Sequence, residues 1–336
     1  MKAVVIEQPR ELRVASVEDP IPGPDEVLIE VKAAGVCGTD VHIYEGEFTC
    51  TYPLIPGHEF AGKVIEVGSE VTELSPGQRV AVEPNVPCGK CFYCRRNQQH
   101  FCRDLKAYGV LGVPGGFSER VKVRAANAFS IGELSYEAGA LIEPLGCVLH
   151  GIELIQIRPG DEVLIFGMGP IGLLLAQVCK LSGASTVVGV DRIREKLNLA
   201  ENIGLDAGFA AEPDAEATLR KAHPSGFDVV IDATGVSEVV ERLPRYARDA
   251  GKILYFGVCP RNTPIRLDPF DVYRRELKIF GTFSLLANFD RAIRTAEAGM
   301  VDLEALISHR FGLDEFEQAL RLKMTEGTAR KIIIEP

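Results

Sequence analysis

The sequence lacks a long uninterrupted apolar run, a positive net charge and an apolar leader at its start. Its most apolar stretch, Val163 to Cys179, is broken by three glycines and a proline, which predicts strand, turn and helix instead of a membrane span. A formal net charge of −10 argues against a nucleic-acid or anionic-membrane partner. Because Met1 leads directly into a strand-like segment, we expect no signal peptide and a cytoplasmic protein.

Length and composition indicate an ordinary globular protein. The 336 residues are 46% hydrophobic and 25% charged, which is enough for two domains with their own cores. We find no internal repeat and no low-complexity segment. Nine cysteines without a signal peptide suggest a reducing compartment, where thiols bind metals.

Four cysteines are the most informative feature of the chain. They are Cys88, Cys91, Cys94 and Cys102. Two-residue gaps between the first three let their thiolates converge on one ion, and four sulfurs complete a tetrahedral zinc shell. Two disulfides are the alternative, which would suit a short secreted chain. Lys90, Arg95 and Arg96 nearby favour the thiolate form. A closed four-sulfur site stabilises a loop and performs no chemistry.

The pattern of the chain changes near residue 160. Up to about residue 147, short β-rich runs alternate with Pro- and Gly-rich turns, which is typical of an irregular β-barrel-like domain. Strand and helix patterns then alternate, as in Asp161 to Phe166, Pro170 to Leu181 and Ser237 to Tyr246. This alternation predicts an α/β fold with a doubly wound parallel sheet. The chain ends in a strand-like run, Lys331 to Ile334.

A glycine-rich turn follows the first strand of the α/β region. Gly167, Gly169, Pro170, Ile171 and Gly172 form a G-x-G-x-x-G that opens a helix. Such glycines allow a tight turn and a close approach to a pyrophosphate, although they also serve plain βα turns.

The end of the next strand carries charged residues that bear on whether the cofactor is NAD or NADP. Asp191 ends that strand 19 residues after Gly172, where a carboxylate accepts hydrogen bonds from a ribose and repels a 2′-phosphate. Arg192 and Arg194 could instead reach a 2′-phosphate. We expect NAD in preference to NADP.

A second set of metal ligands lies in two glycine-flanked elements. Cys37 and His58 are ligands that zinc prefers, and Glu59 follows His58 directly. A lone histidine is more often an ordinary core or surface residue. Glu143 stands in an apolar run, where burying a carboxylate is costly unless it is paired or binds a cation. Its alternative interpretation is a partly exposed acid at a helix end.

These motifs together resemble the zinc-dependent medium-chain alcohol dehydrogenase superfamily over essentially the full chain. The resemblance rests on Gly57 to Glu59, Cys37 to His42, the four-cysteine lobe and the glycine turn. It implies a GroES-like catalytic domain at 1–147 with a zinc lobe at 85–103, a Rossmann domain at 148–285, and a return to the catalytic domain at 286–336.

The resemblance also implies a chemistry. Glu143-Pro144-Leu145 looks like the polyol branch, where Glu replaces a cysteine ligand, whereas threonine dehydrogenases share the element from Cys37 to His42. Ser284 departs from the sorbitol pattern, which tends to carry arginine there. Cys37 and His58 are then zinc ligands, and Glu59 and Glu143 share or exchange the carboxylate position.

The family further implies roles for neighbouring residues and an assembly. Thr39 takes the alcohol proton and His42 relays it to solvent. Asp40 orients the site, because metal-bound imidazoles usually donate to a carboxylate. We expect two zinc ions, NAD, a secondary-alcohol substrate and a homotetramer. The alternatives are an L-threonine 3-dehydrogenase, a sugar-phosphate polyol dehydrogenase, and a non-catalytic NAD-binding protein.

Overall fold

A computed structural model describes residues 1–212 and 215–336, and the chain divides into two compact units. Unit 1 contains Met1–Gly146 and Leu285–Pro336, and unit 2 contains Cys147–Ser284. Within the described ranges, no helix is long and apolar enough to cross a membrane.

Unit 1 is built mainly from strands. Its strands are β1 (Lys2–Gln8), β2 (Glu11–Ser16), β3 (Glu26–Val36), β4 (Glu59–Val67), β5 (Arg79–Val82), β6 (Asn85–Val86), β7 (Lys106–Tyr108), β8 (Gly112–Val113), β9 (Arg120–Arg124), β10 (Ala128–Ser130), β17 (Ile307–Gly312) and β18 (Lys331–Glu335). Its helices are α1 (Gly38–Glu45), α2 (Tyr136–Ala140), α9 (Phe289–Glu297) and α10 (Phe316–Thr325), and α3 (Ile142–Ile155) begins in it. The main sheet runs β10-β5-β4-β3-β18-β17, with β9 also paired to β3.

The pairing of β3 with its two neighbours brings three distant segments together. β4 pairs antiparallel with β3, so that Gly35 lies opposite Glu59. β18 pairs antiparallel with the other edge of β3, so that Ile332 lies opposite Val36. The end of β3, the start of β4 and the start of β18 therefore meet at one place. Buried apolar residues from all three strands, including Val36, Phe60 and Ile332, belong to one core cluster.

Unit 2 alternates strands and helices around a parallel sheet. Its elements are β11 (Glu162–Phe166), α4 (Pro170–Leu181), β12 (Thr186–Asp191), α5 (Arg194–Ile203), β13 (Ala207–Ala210), α6 (Ala215–Ala222), β14 (Phe227–Asp232), α7 (Ser237–Val240), β15 (Ala247–Tyr255), α8 (Pro269–Arg274) and β16 (Lys278–Gly281). All five strand pairs are parallel, in the order β13-β12-β11-β14-β15-β16.

This strand order is that of a doubly wound α/β fold. The order reverses between β11 and β14, and ligands of such sheets bind beyond the carboxyl ends of the strands at this point. Gly167 follows β11 directly. The predicted α/β class with a parallel doubly wound sheet is confirmed. The predicted helix from Ser237 to Tyr246 is shorter, because a 3-10 turn at Leu243–Arg245 contains Pro244, which cannot donate to a helix.

Candidate metal centres and cofactor site

The four cysteines of the lobe converge on one point. Cys88, Cys91, Cys94 and Cys102 place their sulfurs within 4.8 Å of one another. The Sγ of Cys91 lies 3.5 Å from that of Cys94 and 3.9 Å from that of Cys102. Zinc–sulfur bonds of about 2.3 Å in a tetrahedron place sulfurs roughly 3.8 Å apart, whereas a disulfide bond is about 2.05 Å long. These residues fit a closed zinc site, and each is a free thiol.

Backbone amides favour the ionised form of one lobe sulfur. N–H groups of Cys94 and Arg103 donate to Cys91 and lower its pKa to about 6. The basic side chains named from the sequence are not among the causes of this shift. The lobe thus uses backbone dipoles to prepare a thiolate.

Cys37, His58 and Glu59 form a second convergent group. Their ligand atoms lie within 4.8 Å of one another, and His58 and Glu59 are buried. Cys37 follows the end of β3 as the N-cap of α1, and His58 and Glu59 stand where the paired strand β4 begins. One sulfur, one imidazole and one carboxylate with an open fourth position is a ligand set that suits catalytic zinc.

Asp40 connects two of these groups. Its Oδ2 accepts a hydrogen bond from the N–H of Cys37 at 2.8 Å, and its Oδ1 lies 3.6 Å from Nδ1 of His58. Burial opposes the charged imidazole, but Asp40 and then Cys37 outweigh it and raise the pKa of His58 well above its usual range. The distance between Oδ1 of Asp40 and Nδ1 of His58 is too long for a hydrogen bond, and neither buried atom has a hydrogen-bond partner among the described residues. Asp40 thus stands next to the imidazole, and its orienting role stays a prediction.

The glycine turn adopts the geometry that its sequence predicts. Gly167 has a φ of 93°, in the left-handed region that favours glycine. A methyl group on Gly172 would collide with the carbonyl oxygen of Gly167. Gly169 is the N-cap of α4, and Pro170 and Ile171 are its first residues. The free N–H groups of this helix start suit a phosphate.

Asp191 stands beside this turn at the end of β12. Its Oδ2 accepts a hydrogen bond from the N–H of Met168 at 2.7 Å, and its Oδ1 accepts one from Ile193 at 2.9 Å. Arg192 is exposed, whereas Arg194 donates to the carbonyl of Gly208 at 3.0 Å. The carboxylate therefore holds the turn itself, and its predicted contact with a ribose stays a prediction.

Two family models match the chain. The model of the alcohol dehydrogenase GroES-like domain matches residues 23–133, and that of the zinc-binding dehydrogenase family matches residues 170–298. The chain is 39% identical to D-arabinitol dehydrogenase 1 of Uromyces fabae, over 100% of this chain and 97% of that one.

The chain belongs to the zinc-dependent medium-chain alcohol dehydrogenase superfamily.

Two further relatives support this assignment. D-altritol 5-dehydrogenase of Agrobacterium fabrum is 38% identical over 92% of each chain. A zinc-binding dehydrogenase of Sinorhizobium meliloti 1021, solved with NADP, is 38% identical with a TM-score of 0.96, over 100% of this chain and 99% of that one. The resemblance to the polyol branch is confirmed. The dehydrogenase is thus an oxidoreductase that uses zinc and a nicotinamide cofactor.

The two residues predicted for proton transfer lie on or beside α1 of the dehydrogenase. Oγ1 of Thr39 is 3.8 Å from Sγ of Cys37. His42 is exposed, and its Nδ1 lies 2.7 Å from Oε2 of Glu47. Within the part of the chain that the structure describes, no hydrogen bond joins Thr39 to His42.

Glu143 of the dehydrogenase lies outside the group that contains Cys37. It is buried in the first turn of α3, and its charge acts on Lys331 and on Glu83. Burial, followed by the charge of Glu143, raises the pKa of Glu83 to about 7. The sequence reasoning missed Glu83, although a carboxyl directly before Pro84 and after the apolar strand β5 was a usable signal.

Lys331 is the other residue that the sequence reasoning missed. It is 4% exposed, and its Nζ lies 2.8 Å from Oε1 and 2.5 Å from Oε2 of Glu59. The sequence predicted only the strand in which it stands. A lysine heading three isoleucines was a signal that a buried carboxylate faces it.

Proposed function

We propose that this dehydrogenase transfers a hydride from a secondary alcohol group of a polyol or sugar alcohol to NAD. The observation that carries the proposal is the convergence of Cys37, His58 and Glu59 in a chain whose relatives include D-arabinitol and D-altritol dehydrogenases. An L-threonine 3-dehydrogenase or a sugar-phosphate polyol dehydrogenase is the alternative within enzymes.

The metal ligands in this proposal are Cys37, His58 and Glu59, and Glu143 is a carboxylate that shares or exchanges the last position. The donor set supports this, since a thiolate, an imidazole and a carboxylate all match zinc. The four lobe cysteines hold the second, structural ion. The glycine turn and Asp191 hold NAD, with Arg192 beside it.

Zinc, when bound, polarises the substrate hydroxyl as a Lewis acid, and NAD accepts the hydride. The residues then have to move one proton. Thr39, next to the ligand Cys37, takes the hydroxyl proton and passes it on. Since no hydrogen bond joins Thr39 to His42 in the described part of the chain, the proton reaches His42 through an intervening water or hydroxyl group. His42 receives it at Nε2, because Glu47 occupies its Nδ1. The exposure of His42 supports its role as the step to solvent.

A non-catalytic NAD-binding protein would need only unit 2. It would have no use for Cys37, His58, Thr39 or the buried Glu59, all of which are intact in this chain. The presence of this complete set favours the enzyme.

The deciding experiment is a substrate screen followed by NADH absorbance. Pentitols, hexitols, their phosphates, L-threonine and simple alcohols are each offered with NAD to the zinc-loaded protein. We expect the highest kcat/KM with an unphosphorylated polyol and no turnover in His58→Ala. Turnover of L-threonine above every polyol, or of none of the compounds, would reject the proposal. Zinc content and turnover of Glu143→Ala and Glu59→Ala then show which of the two carboxylates is the metal ligand.

We further propose that the enzyme is a cytoplasmic homotetramer built from two-fold dimers, with no nucleic-acid or membrane partner. Strand β16 ends the sheet of unit 2 and leaves one edge open. In the segment that leads from β15 to β16, Val258, Phe270 and Tyr273 are 81%, 67% and 79% exposed. We call these three residues the edge patch. A second copy of the chain is the simplest cover for an open edge with apolar neighbours.

A further inference from the structure

A buried ion pair stands inside the candidate catalytic metal centre. The side chains of Lys331 and Glu59 are 5% and 2% exposed, and one ammonium contacts both oxygens of the carboxylate. Both residues belong to unit 1, on strands that flank β3. The carboxylate named as a metal ligand is thus already bound by a cation of the protein itself.

Lys331 lies against the proposed ligand group. Its Nζ contacts both oxygens of Glu59, and the ligand atoms of Glu59, Cys37 and His58 lie within 4.8 Å of one another. The positive charge of Lys331 therefore balances the carboxylate at the place where a metal ion would do the same.

Stability alone gives a weak reason for such a pair. Removing two charges from water is expensive, and apolar residues of similar volume often replace a buried ion pair with no loss. The strand supports this, because Ile332, Ile333 and Ile334 are all fully buried. An apolar residue at position 331 opposite an apolar residue at position 59 would suit this core. If the carboxylate of Glu59 is required for metal binding, the presence of a lysine beside it is explained.

We propose that Lys331 is a positioning residue that competes with zinc for Glu59 and so makes Glu59 an exchangeable ligand. The proposal rests on the proposed function, in which Cys37, His58 and Glu59 hold the catalytic ion. Without metal, the ammonium neutralises Glu59 and keeps the site folded. With metal, it withdraws electron density from the carboxylate and repels the dication, which weakens zinc binding at this site alone.

The competition predicts opposite effects on the metal-free and metal-loaded protein. Replacing Lys331 with a neutral residue leaves Glu59 buried and unpaired, so the metal-free protein loses stability. The same change removes a positive charge from beside the ion and frees both carboxylate oxygens, so zinc binds more tightly. A merely structural pair would lower both the stability and the zinc affinity.

The experiment compares Lys331→Met and Lys331→Gln with the double variant Lys331→Met/Glu59→Gln, and Lys331→Arg serves as the charge-matched control. Zinc affinity at each site is measured by competition with a chromophoric chelator, and thermal unfolding is followed with the lobe ion alone and with both ions. A Co²⁺ visible spectrum of the second site reports its ligand set. None of these readouts requires activity.

We expect Lys331→Met and Lys331→Gln to bind the second zinc about tenfold or more tightly, equivalent to about 1.4 kcal/mol or more. With the lobe ion alone, both variants should unfold at a lower temperature than the parent. Addition of the second zinc should then raise their unfolding temperature by more than it raises that of the parent. The double variant should regain stability without the gain in affinity, and Lys331→Arg should behave like the parent. Unchanged or weaker zinc binding in both neutral variants would overturn the proposal.

The failure of the proposed function has a different signature. If the parent protein binds only the lobe ion, the catalytic centre itself is wrong. If the parent binds two ions and the Lys331 variants do not differ from it, the centre stands and only the role of Lys331 is rejected.

Discussion

Gly35 and Glu59 face each other across strands β3 and β4, and a methyl group on the Cα of Gly35 would collide with Oε2 of Glu59. The carboxylate cannot simply withdraw, because Lys331 holds both of its oxygens. The absence of a side chain at position 35 is therefore a condition for the position of a proposed ligand.

We accordingly predict that Gly35→Ala displaces Glu59, weakens the second zinc and lowers the free energy of unfolding by about 1–3 kcal/mol. Gly38→Ala is the control, since nothing lies within 4 Å of a Cβ placed there. Zinc analysis after dialysis and denaturant unfolding give the two quantities. Gly35→Ala with two tightly bound ions and the stability of the parent would contradict this account.

The second prediction concerns the lobe. Cys94→Ser removes one of four convergent sulfurs, so we expect loss of one zinc ion and a large fall in stability, because a structural site contributes folding energy directly. The ion at Cys37 and His58 should remain. Cys259→Ser, outside both metal groups, should keep both ions. Elemental analysis of protein purified without chelator checks the count, and a parent with fewer than two ions per chain would refute it.

Local sequence patterns predicted most of the fold, because the residues of most helices and strands favour the secondary structure that they adopt. The predicted helix from Pro170 to Leu181 coincides with α4, which begins at a proline and buries residues 172–179. Glycines with a required geometry, such as Gly167, were equally readable. Where a proline interrupts an apolar pattern, as Pro244 does, periodicity alone overestimated the helix.

Only those residues of the site that lie in recognisable sequence motifs could be predicted. Cys37 and His58 carry recognisable neighbours, whereas Lys331 and Glu83 act through partners far away in sequence. Lys331 meets Glu59 across 272 residues, and only the pairing of β18 and β4 with the two edges of β3 brings them together. Sequence gives the strand of such a residue but not its neighbour on the next strand.

The third prediction is a pH dependence. Burial and Glu143 raise the pKa of Glu83 from 4.5 to about 7, so the folded protein holds this proton at a higher pH than the unfolded chain does. The contribution of Glu83 to stability should therefore fall, by on the order of 1–3 kcal/mol, as the pH rises from about 4.5 to about 7, and should stay level above that range. Glu83→Gln should flatten this part of the profile and be the more stable protein above pH 7.

Glu66→Gln, an exposed glutamate on β4, is the matched control and should retain the profile of the parent. Urea unfolding at intervals across this pH range supplies the data. A Glu83→Gln profile parallel to that of the parent would show that Glu83 ionises normally.

The fourth prediction concerns assembly. Phe270→Asp and Tyr273→Asp place charge in the edge patch, so each should reduce the proposed tetramer to a smaller species without loss of zinc. Ile21→Asp is the control at another site, because Ile21 is also highly exposed (77%) but lies in unit 1. Light scattering at micromolar concentration measures the mass. A parent of chain mass with both ions bound, or a tetramer in every variant, would rule out this interface.

The fifth prediction concerns the choice between NAD and NADP. The carboxylate of Asp191 accepts a hydrogen bond from the N–H of Met168 in the glycine turn, and we expect its charge to repel a 2′-phosphate. Asp191→Ala removes both effects, so kcat/KM should fall for both cofactors, and more for NAD, which improves NADP relative to NAD. Asp191→Asn keeps an oxygen for Met168 and removes the charge, so it should change the ratio with a smaller loss.

Substitution of Arg192 should shift the cofactor preference in the opposite direction, towards NAD. This arginine is exposed beside Asp191, whereas Arg194 is bonded to Gly208, so Arg192→Ala should weaken NADP more than NAD. Steady-state rates with both cofactors at saturating polyol measure all four proteins. If the parent itself prefers NADP, the attraction of Arg192 exceeds the repulsion from Asp191. In that case Asp191 serves chiefly to hold the turn, and Asp191→Asn should leave the cofactor ratio almost unchanged.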